Sequence, residues 1–316
     1  MIKDICLIIV LCMAAGCSSN DNNIKPMVST PLVIDYFGVL RGYLEPCGCG
    51  GQPNTGGIPR RITYMEKQRE KWDNILFIYA NNWFGQTTPN DKLRADILLK
   101  TLPEMGFDAL GLYDKDFSFG FSRAESLVKN IPGYVNGNIR YATGALFTVS
   151  ATKTFSFNNI TTIEGDTINL NVGITGVCSL MHQDRFERFL GNEYSKINIT
   201  DPTSELEKIL PTLSETNDLL IVIYGGFPKQ IVPLAEKFPE VNIWIGGETG
   251  QIHSLEPLKV GDSFIVENND KGRHGAQLRL HFDRGKNIKY YTTQVVYVDE
   301  DYPPEPKLQS MLEVLH

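Results

Sequence analysis

The chain is 316 residues long, 42% hydrophobic and 21% charged, with a formal net charge of −7. That apolar content suffices to bury a sizeable core, and the acidic balance argues against nucleic acid or an anionic membrane surface as the main partner. No block of like charges and no internal repeat stands out.

Residues 1–16 read as a processing signal. Lys3 supplies the n-region, residues 5–13 form a short apolar stretch, and Ala14-Ala15-Gly16-Cys17 makes a lipoprotein cleavage box. So short a run falls below the ~18–20 apolar residues needed to span a bilayer. Cleavage before Cys17 would leave its thiol for diacylglycerol attachment, and residues 17–29, rich in Ser and Asn, suit a flexible tether. The competing reading is a plain secretory peptide with an incidental Cys17. The expectation is a lipid-anchored protein of the bacterial cell envelope, on the periplasmic face or the cell surface. Its bilayer partner is reached through acylated Cys17, and its folded part spans residues 30–316.

From residue 30 onward, apolar strand-like runs alternate with helix-patterned stretches. Strands are expected at 31–40, 74–80, 108–112, 133–135, 169–175, 218–224, 241–246, 263–267, 277–282 and 288–298. Helices are expected at 59–72, 92–105, 122–130, 204–213, 228–237 and 305–315. In the second of these, Leu93, Ile97, Leu98, Leu102 and Met105 line one apolar face. Segment 137–165 breaks the rhythm with β-branched and aromatic residues, as an extra hairpin or edge strand would. The alternation argues for packed sheets covered by helices, without a linker dividing two domains.

Between the first strand and the first helix lies Gly42-Tyr43-Leu44-Glu45-Pro46-Cys47-Gly48-Cys49-Gly50-Gly51, followed by Gly56-Gly57 and Arg60-Arg61. Strand, glycine-rich loop and helix are a common way to build an active site at a sheet edge, because Gly lets the backbone approach a ligand closely. With Phe117-Ser118-Phe119-Gly120, Asn136-Gly137-Asn138 and Gly246-Gly247, the segment resembles the 5'-nucleotidase-like branch of the calcineurin-type metallophosphoesterases, in its Glu-Pro-Cys-Gly-Cys subgroup. The resemblance implies a single-domain, four-layer α/β/β/α sandwich. The second, substrate-recognising domain that many 5'-nucleotidases carry finds no room before His316.

The resemblance also implies two divalent ions, roughly 3.5–4 Å apart, held by carboxylates, imidazoles and amides on strand-end loops. At those positions the chain departs from the pattern. Val39 and Arg41 stand where an Asp-x-His belongs, and Asn81-Asn82 where a Gly-Asp belongs. In Tyr113-Asp114-Lys115-Asp116, Asp114 replaces a ligand Asn and Lys115 a catalytic His. Gly225 or Gly226 replaces another His, and Gly247-Glu248-Thr249-Gly250 lacks both imidazoles of a Gly-His-x-His. None of the five histidines falls on a signature, although imidazole is the commonest nitrogen ligand for such metals.

Two readings of the emptied pocket compete. Arg41 and Lys115, with Arg60 nearby, could hold a phosphate or carboxylate, since guanidinium offers a planar fork to such groups. Alternatively, Asp114, Asp116 and Glu248 neutralise these cations in a plugging salt-bridge cluster, and this is the expectation. The Cys-Gly-Cys loop has three readings: a disulfide staple from Cys47 or Cys49 to Cys178, a redox or soft-metal thiol site made by the three, or free thiols. Tyr290, Tyr291 and Tyr297 suit cross-strand packing, and Trp72, Trp83 and Trp244 suit core or rim positions.

The reading as a whole is a pseudoenzyme with a hydrolase fold and a binding, scaffolding or thiol-linked role, without a cofactor. Its ligand would be a small anion or an envelope protein. The alternative is a divergent phosphoesterase with catalytic candidates Asp114, Lys115 and Asp116. It would recruit Asn82, Asp114, Asp116 and Glu248 around one Mg, Mn or Zn ion.

Overall fold

The computed structural model describes residues 29–47, 54–247, 256–267 and 271–315. The chain enters as β1 (Leu32–Phe37), and a small hairpin of β2 (Pro46–Cys47) and β3 (Thr55–Gly56) leads into α1 (Ile58–Lys71). There follow β4 (Ile75–Tyr79), α2 (Pro89–Met105), β5 (Ala109–Leu110) and α3 (Phe121–Asn130). A strand-rich stretch contributes β6 (Ile139–Tyr141), β7 (Thr152–Thr161) and β8 (Thr167–Cys178). Alternation resumes with α4 (Gln183–Leu190), β9 (Ile197–Ile199), α5 (Pro202–Thr216), β10 (Leu219–Gly225), α6 (Ile231–Lys237) and β11 (Ile243–Gly246). The chain closes with β12 (Leu258–Val260), β13 (Ser263–Glu267), β14 (His274–Phe282), β15 (Ile288–Tyr297) and α7 (Pro306–Leu312).

These strands form two large sheets, ordered β15-β14-β1-β4-β5 and β12-β13-β11-β10-β8-β7. Within the first, β1, β4 and β5 run parallel; within the second, β8, β10, β11 and β13 do. Parallel strands covered on both faces read as continuous apolar runs, as in Leu-Val-Ile-Asp-Tyr-Phe of β1 and Leu-Leu-Ile-Val-Ile-Tyr of β10. The period of two then divides each strand between layers. Ile34, Ile78, Ile174, Ile221, Ile223 and Leu278 fill the space between the sheets. Phe37, Phe77 and Tyr79 face Ile62, Leu98 and Leu308 from helices on one outer side. Val222 and Trp244 meet Leu206, Leu210 and Leu234 on the other. The architecture is the four-layer α/β/β/α sandwich that the resemblance implied.

Some elements differ from the sequence reading. Helix α2 starts earlier than 92, because Thr88 caps it by accepting the Asp91 N–H at 3.2 Å and Pro89 suits its first turn. Segment 133–135 makes isolated bridges, Tyr134 to Leu110 and Val135 to Ser150, instead of a strand. Segment 137–165 divides into β6, which pairs with β9, and β7, an antiparallel edge strand on β8. Helix α4 was not anticipated at all.

One polar cluster interrupts the helix-facing side of the first sheet. Asp35, in the middle of β1, is completely buried, and Tyr64 from α1 donates its hydroxyl to Asp35 Oδ2. Gln277 from β14 donates Nε2 to the same oxygen at 2.9 Å. Burial pushes the Asp35 carboxyl up to about 7, against the pull of these two donors and of the Arg61 charge.

Candidate functional site

The loops that follow β1, β4, β5 and β8 leave the same end of the sandwich, the carboxyl end of the parallel strands. Ligands of open α/β sheets gather there because the strand ends splay and helices begin. Two backbone hydrogen bonds lace the first two loops: Arg41 N–H donates to the Asn82 carbonyl at 3.1 Å, and Gly42 N–H to that of Trp83 at 2.8 Å. Both Arg41 (φ 52°) and Asn82 (φ 64°) are left-handed, a conformation that costs a non-glycine residue roughly 1 kcal/mol. Backbone strain at two facing loops is the kind held at working sites.

Asp116 ties this corner together. Its carboxylate is completely buried and accepts the backbone N–H groups of Trp83 at 2.8 Å, Tyr113 at 2.9 Å and Asn82 at 3.1 Å. Burial pushes its carboxyl up to about 7 while those amides pull it down. With both oxygens engaged by backbone, Asp116 holds the two loops in register and drops out of the catalytic candidates. Asn82 Oδ1, offered above as a metal ligand, accepts the Lys115 N–H at 3.1 Å instead.

Asp114 has the opposite surroundings. It too is completely buried, its Oδ1 accepting the Lys115 N–H at 2.7 Å. Its Oδ2 receives Nη1 of Arg185 at 2.9 Å, a charge-assisted bond from helix α4. The expectation set Asp114, Asp116 and Glu248 against Arg41 and Lys115; the cation that binds Asp114 is Arg185, from a helix that the sequence reading missed. Phe186 and Leu190, four residues apart and both buried, seat α4, with the Phe186 ring 5.2 Å from that of Phe117. That i,i+4 apolar pair was the available signal.

Two adjoining cavities open here. One, of about 300 Å³, is lined by Arg41, Tyr43, Asp91, Arg94, Lys115 and Lys271. The other, of about 410 Å³, is lined by Arg41, Asp114, Lys115, Arg185, Arg188 and Phe189. Arg41, Lys115 and Gln86 border both. The structure therefore brings together Arg41, Lys115 and Asp114 from the sequence candidates, and adds Arg94, Arg185, Arg188 and Lys271. Arg60 stands outside both linings and donates Nη1 to the Asn54 carbonyl at 2.7 Å, bracing its own loop.

The described residues do not fit a dinuclear centre. Among the described residues no group of three or more His, Cys, Asp or Glu side chains gathers so as to hold a metal ion. At Gly225, one of the two glycines offered for the lost imidazole, a side chain could not simply be restored, because a Cβ there would meet the Leu112 carbonyl at 2.9 Å and the Cβ atoms of Tyr113 and Cys178 at 2.9 and 3.1 Å. The Leu112 carbonyl and the Cβ atoms of Tyr113 and Cys178 thus fill space that a ligand side chain there would need.

The staple between the loop and Cys178 is corrected. Cys178 is a free thiol at the end of β8, completely buried, and burial pushes it well above the usual thiol range. So shielded and so seldom ionised, it is inert packing and drops out of the thiol site. Cys47 lies in strand β2, while Cys17, Cys49 and Glu248 fall outside the described residues.

No protein-family profile matches the chain. Among curated proteins, the snake venom 5'-nucleotidase of Gloydius brevicauda is 21% identical over 292 residues, covering 85% of this chain and 48% of that protein. The snake venom 5'-nucleotidase of Crotalus adamanteus is 20% identical over 282 residues, covering 83% and 46%. The chain thus spans about half the length of the curated relatives it matches. A putative 5'-nucleotidase from Staphylococcus aureus superposes with a TM-score of 0.74 at 16% identity, over 90% of this chain and 58% of that one. A calcineurin-like phosphoesterase from Bacillus subtilis gives 0.69 at 14% identity, over 92% and 97%. The chain has the fold of the 5'-nucleotidase-like metallophosphoesterases, and the resemblance read from its sequence frame holds.

Proposed function

We propose that this chain is a metallophosphoesterase-fold pseudoenzyme, carried on the bacterial envelope by a lipid on Cys17, whose former metal pocket binds a small anion. The observation that carries the reading is the Asp114–Arg185 pair: a buried carboxylate at a metal-ligand position, bound at 2.9 Å by a guanidinium. A fixed cation there repels divalent metal and supplies part of the charge that metal would bring. Arg41 and Lys115, which replace imidazoles of the family pattern, extend that positive field into the cavities. In an acidic protein, such local reversal of sign favours an oxyanion, which arginine forks hold bidentately. The divergent-enzyme alternative loses ground because Asp116 and Asn82 give their oxygens to backbone amides.

Calorimetric titration with inorganic phosphate tests the pocket. Arg41→Ala is expected to weaken phosphate binding at least tenfold, about 1.4 kcal/mol, and unchanged affinity would sink the idea. Anchoring is checked by mass spectrometry of the membrane fraction: Cys17 is expected at the amino terminus carrying diacylglycerol. An unmodified Cys17 in a soluble product contradicts it.

A further inference from the structure

At the opposite end of the sandwich, the amino ends of the parallel strands border a third cavity, of about 490 Å³. Strand register builds its rim. Ile221, Ile243 and Phe264 pair side by side in β10, β11 and β13, so Asp218, Glu240 and Asp262, just before them, stand in a row at the strand spacing of about 4.8 Å. Lys259 extends the row from β12, the edge strand beside β13. The β14–β15 turn of the other sheet closes the far side. There Lys286, left-handed at φ 65°, donates its ammonium to both oxygens of Asp218 at 2.8 Å.

That pair accounts for two of the five charged groups in the lining. Glu240, Asp262 and Lys259 have no ion-pair partner among the described residues. Lys259 is placed all the same. Its Nζ lies 5.0 Å from the centroid of the Phe264 ring and 5.4 Å from that of Tyr291, whose hydroxyl donates to Glu256 at 3.2 Å. Two rings steady the long side chain without neutralising it. Asn242, its Oδ1 taken by the Leu220 N–H at 2.8 Å, keeps Nδ2 for a ligand carbonyl. A simple anion would meet the two carboxylates, and a simple cation would meet Lys259. Among the described residues no acidic group gathers so as to hold a metal ion. A ligand carrying both signs is complementary to this order of charges.

We infer that the cavity binds a short peptide with both termini free, its carboxylate on Lys259 and its ammonium between Asp262 and Glu240. An extended dipeptide spans about 7 Å. That length falls between the one and two strand spacings, about 5 and 10 Å, that separate the strand of Lys259 from those of the two acids. The site is independent of the anion pocket at the other end.

Calorimetry on the mature chain at low, fixed ionic strength tests it with L-alanyl-L-alanine, its N-acetyl form and its carboxamide. Each capped form is expected to bind at least fivefold more weakly than the free dipeptide. Lys259 and Asp262 are exposed, so their replacement leaves the fold intact. Lys259→Ala should erase the preference for the free carboxylate, and Asp262→Asn should shrink the preference for the free ammonium. Lys307→Ala, whose ammonium is bound to Glu104 at 2.6 Å between α7 and α2, should change neither. No binding of the dipeptide, equal affinity for free and capped forms, or preferences that neither variant moves overturns the peptide site.

Discussion

Asp35 and Asp114 are both completely buried, yet one sits in the wall of the core and the other in the wall of a cavity. Around Asp35 the donors are neutral, the Tyr64 hydroxyl and the Gln277 amide, and burial raises its pKa to about 7. Around Asp114, beside the Lys115 backbone N–H, the side-chain donor is a guanidinium that reaches in from a helix with a quarter of its side chain still in solvent. A carboxylate becomes an ion pair where a long cation can approach from the open side, and a proton-holding group where only packed neighbours can reach it. The site owes its present electrostatics to that approach.

The largest expected effect at a single pH comes from breaking the ion pair. Arg185→Ala leaves the Asp114 carboxylate buried without its cation and should cost about 3 kcal/mol in urea unfolding. Adding Asp114→Asn should recover most of that loss. A coupling below about 0.5 kcal/mol would mean that the pair is incidental.

A second effect, spread over pH, separates Asp35 from it. The folded state keeps the Asp35 proton from the ordinary 3.8 up to about 7, whereas the unfolded chain releases it near 3.8. The folded form therefore binds more protons across that window, so the Asp35 contribution to stability falls as pH rises, by about 1.4 kcal/mol per pH unit at most. Below 3.8 and above about 7 the contribution is flat. Asp35→Asn should flatten the pH 4–7 slope relative to the unsubstituted chain. An unaltered slope, or one of opposite sign, would contradict the assignment.

How much of this could be read from the chain varies by element. The frame was legible because it is local: the apolar run of β1 and the aromatic stretch 117–120 each declare their conformation within a few residues. Helix α4 was not. It is short, charged at four of its eight positions, and preceded by left-handed His182 without a side-chain cap, so only the Phe186–Leu190 spacing marks it. Asp114 and Asp116 are two residues apart, and spacing cannot say which one meets three backbone amides and which one meets an arginine. Cys178 could have been placed better: it ends an apolar strand, where a thiol packs as a small hydrophobe.

The central claim is that Arg41, Lys115 and the Asp114–Arg185 pair occupy the ground on which divalent ions would have to be held. Metal analysis of the purified mature chain, with a generic phosphodiester assay across Mn²⁺, Zn²⁺ and Mg²⁺, tests it most directly. The account predicts substoichiometric metal after dialysis and no metal-dependent turnover. Close to two equivalents of retained metal, with turnover abolished by Asp114→Ala, would contradict it.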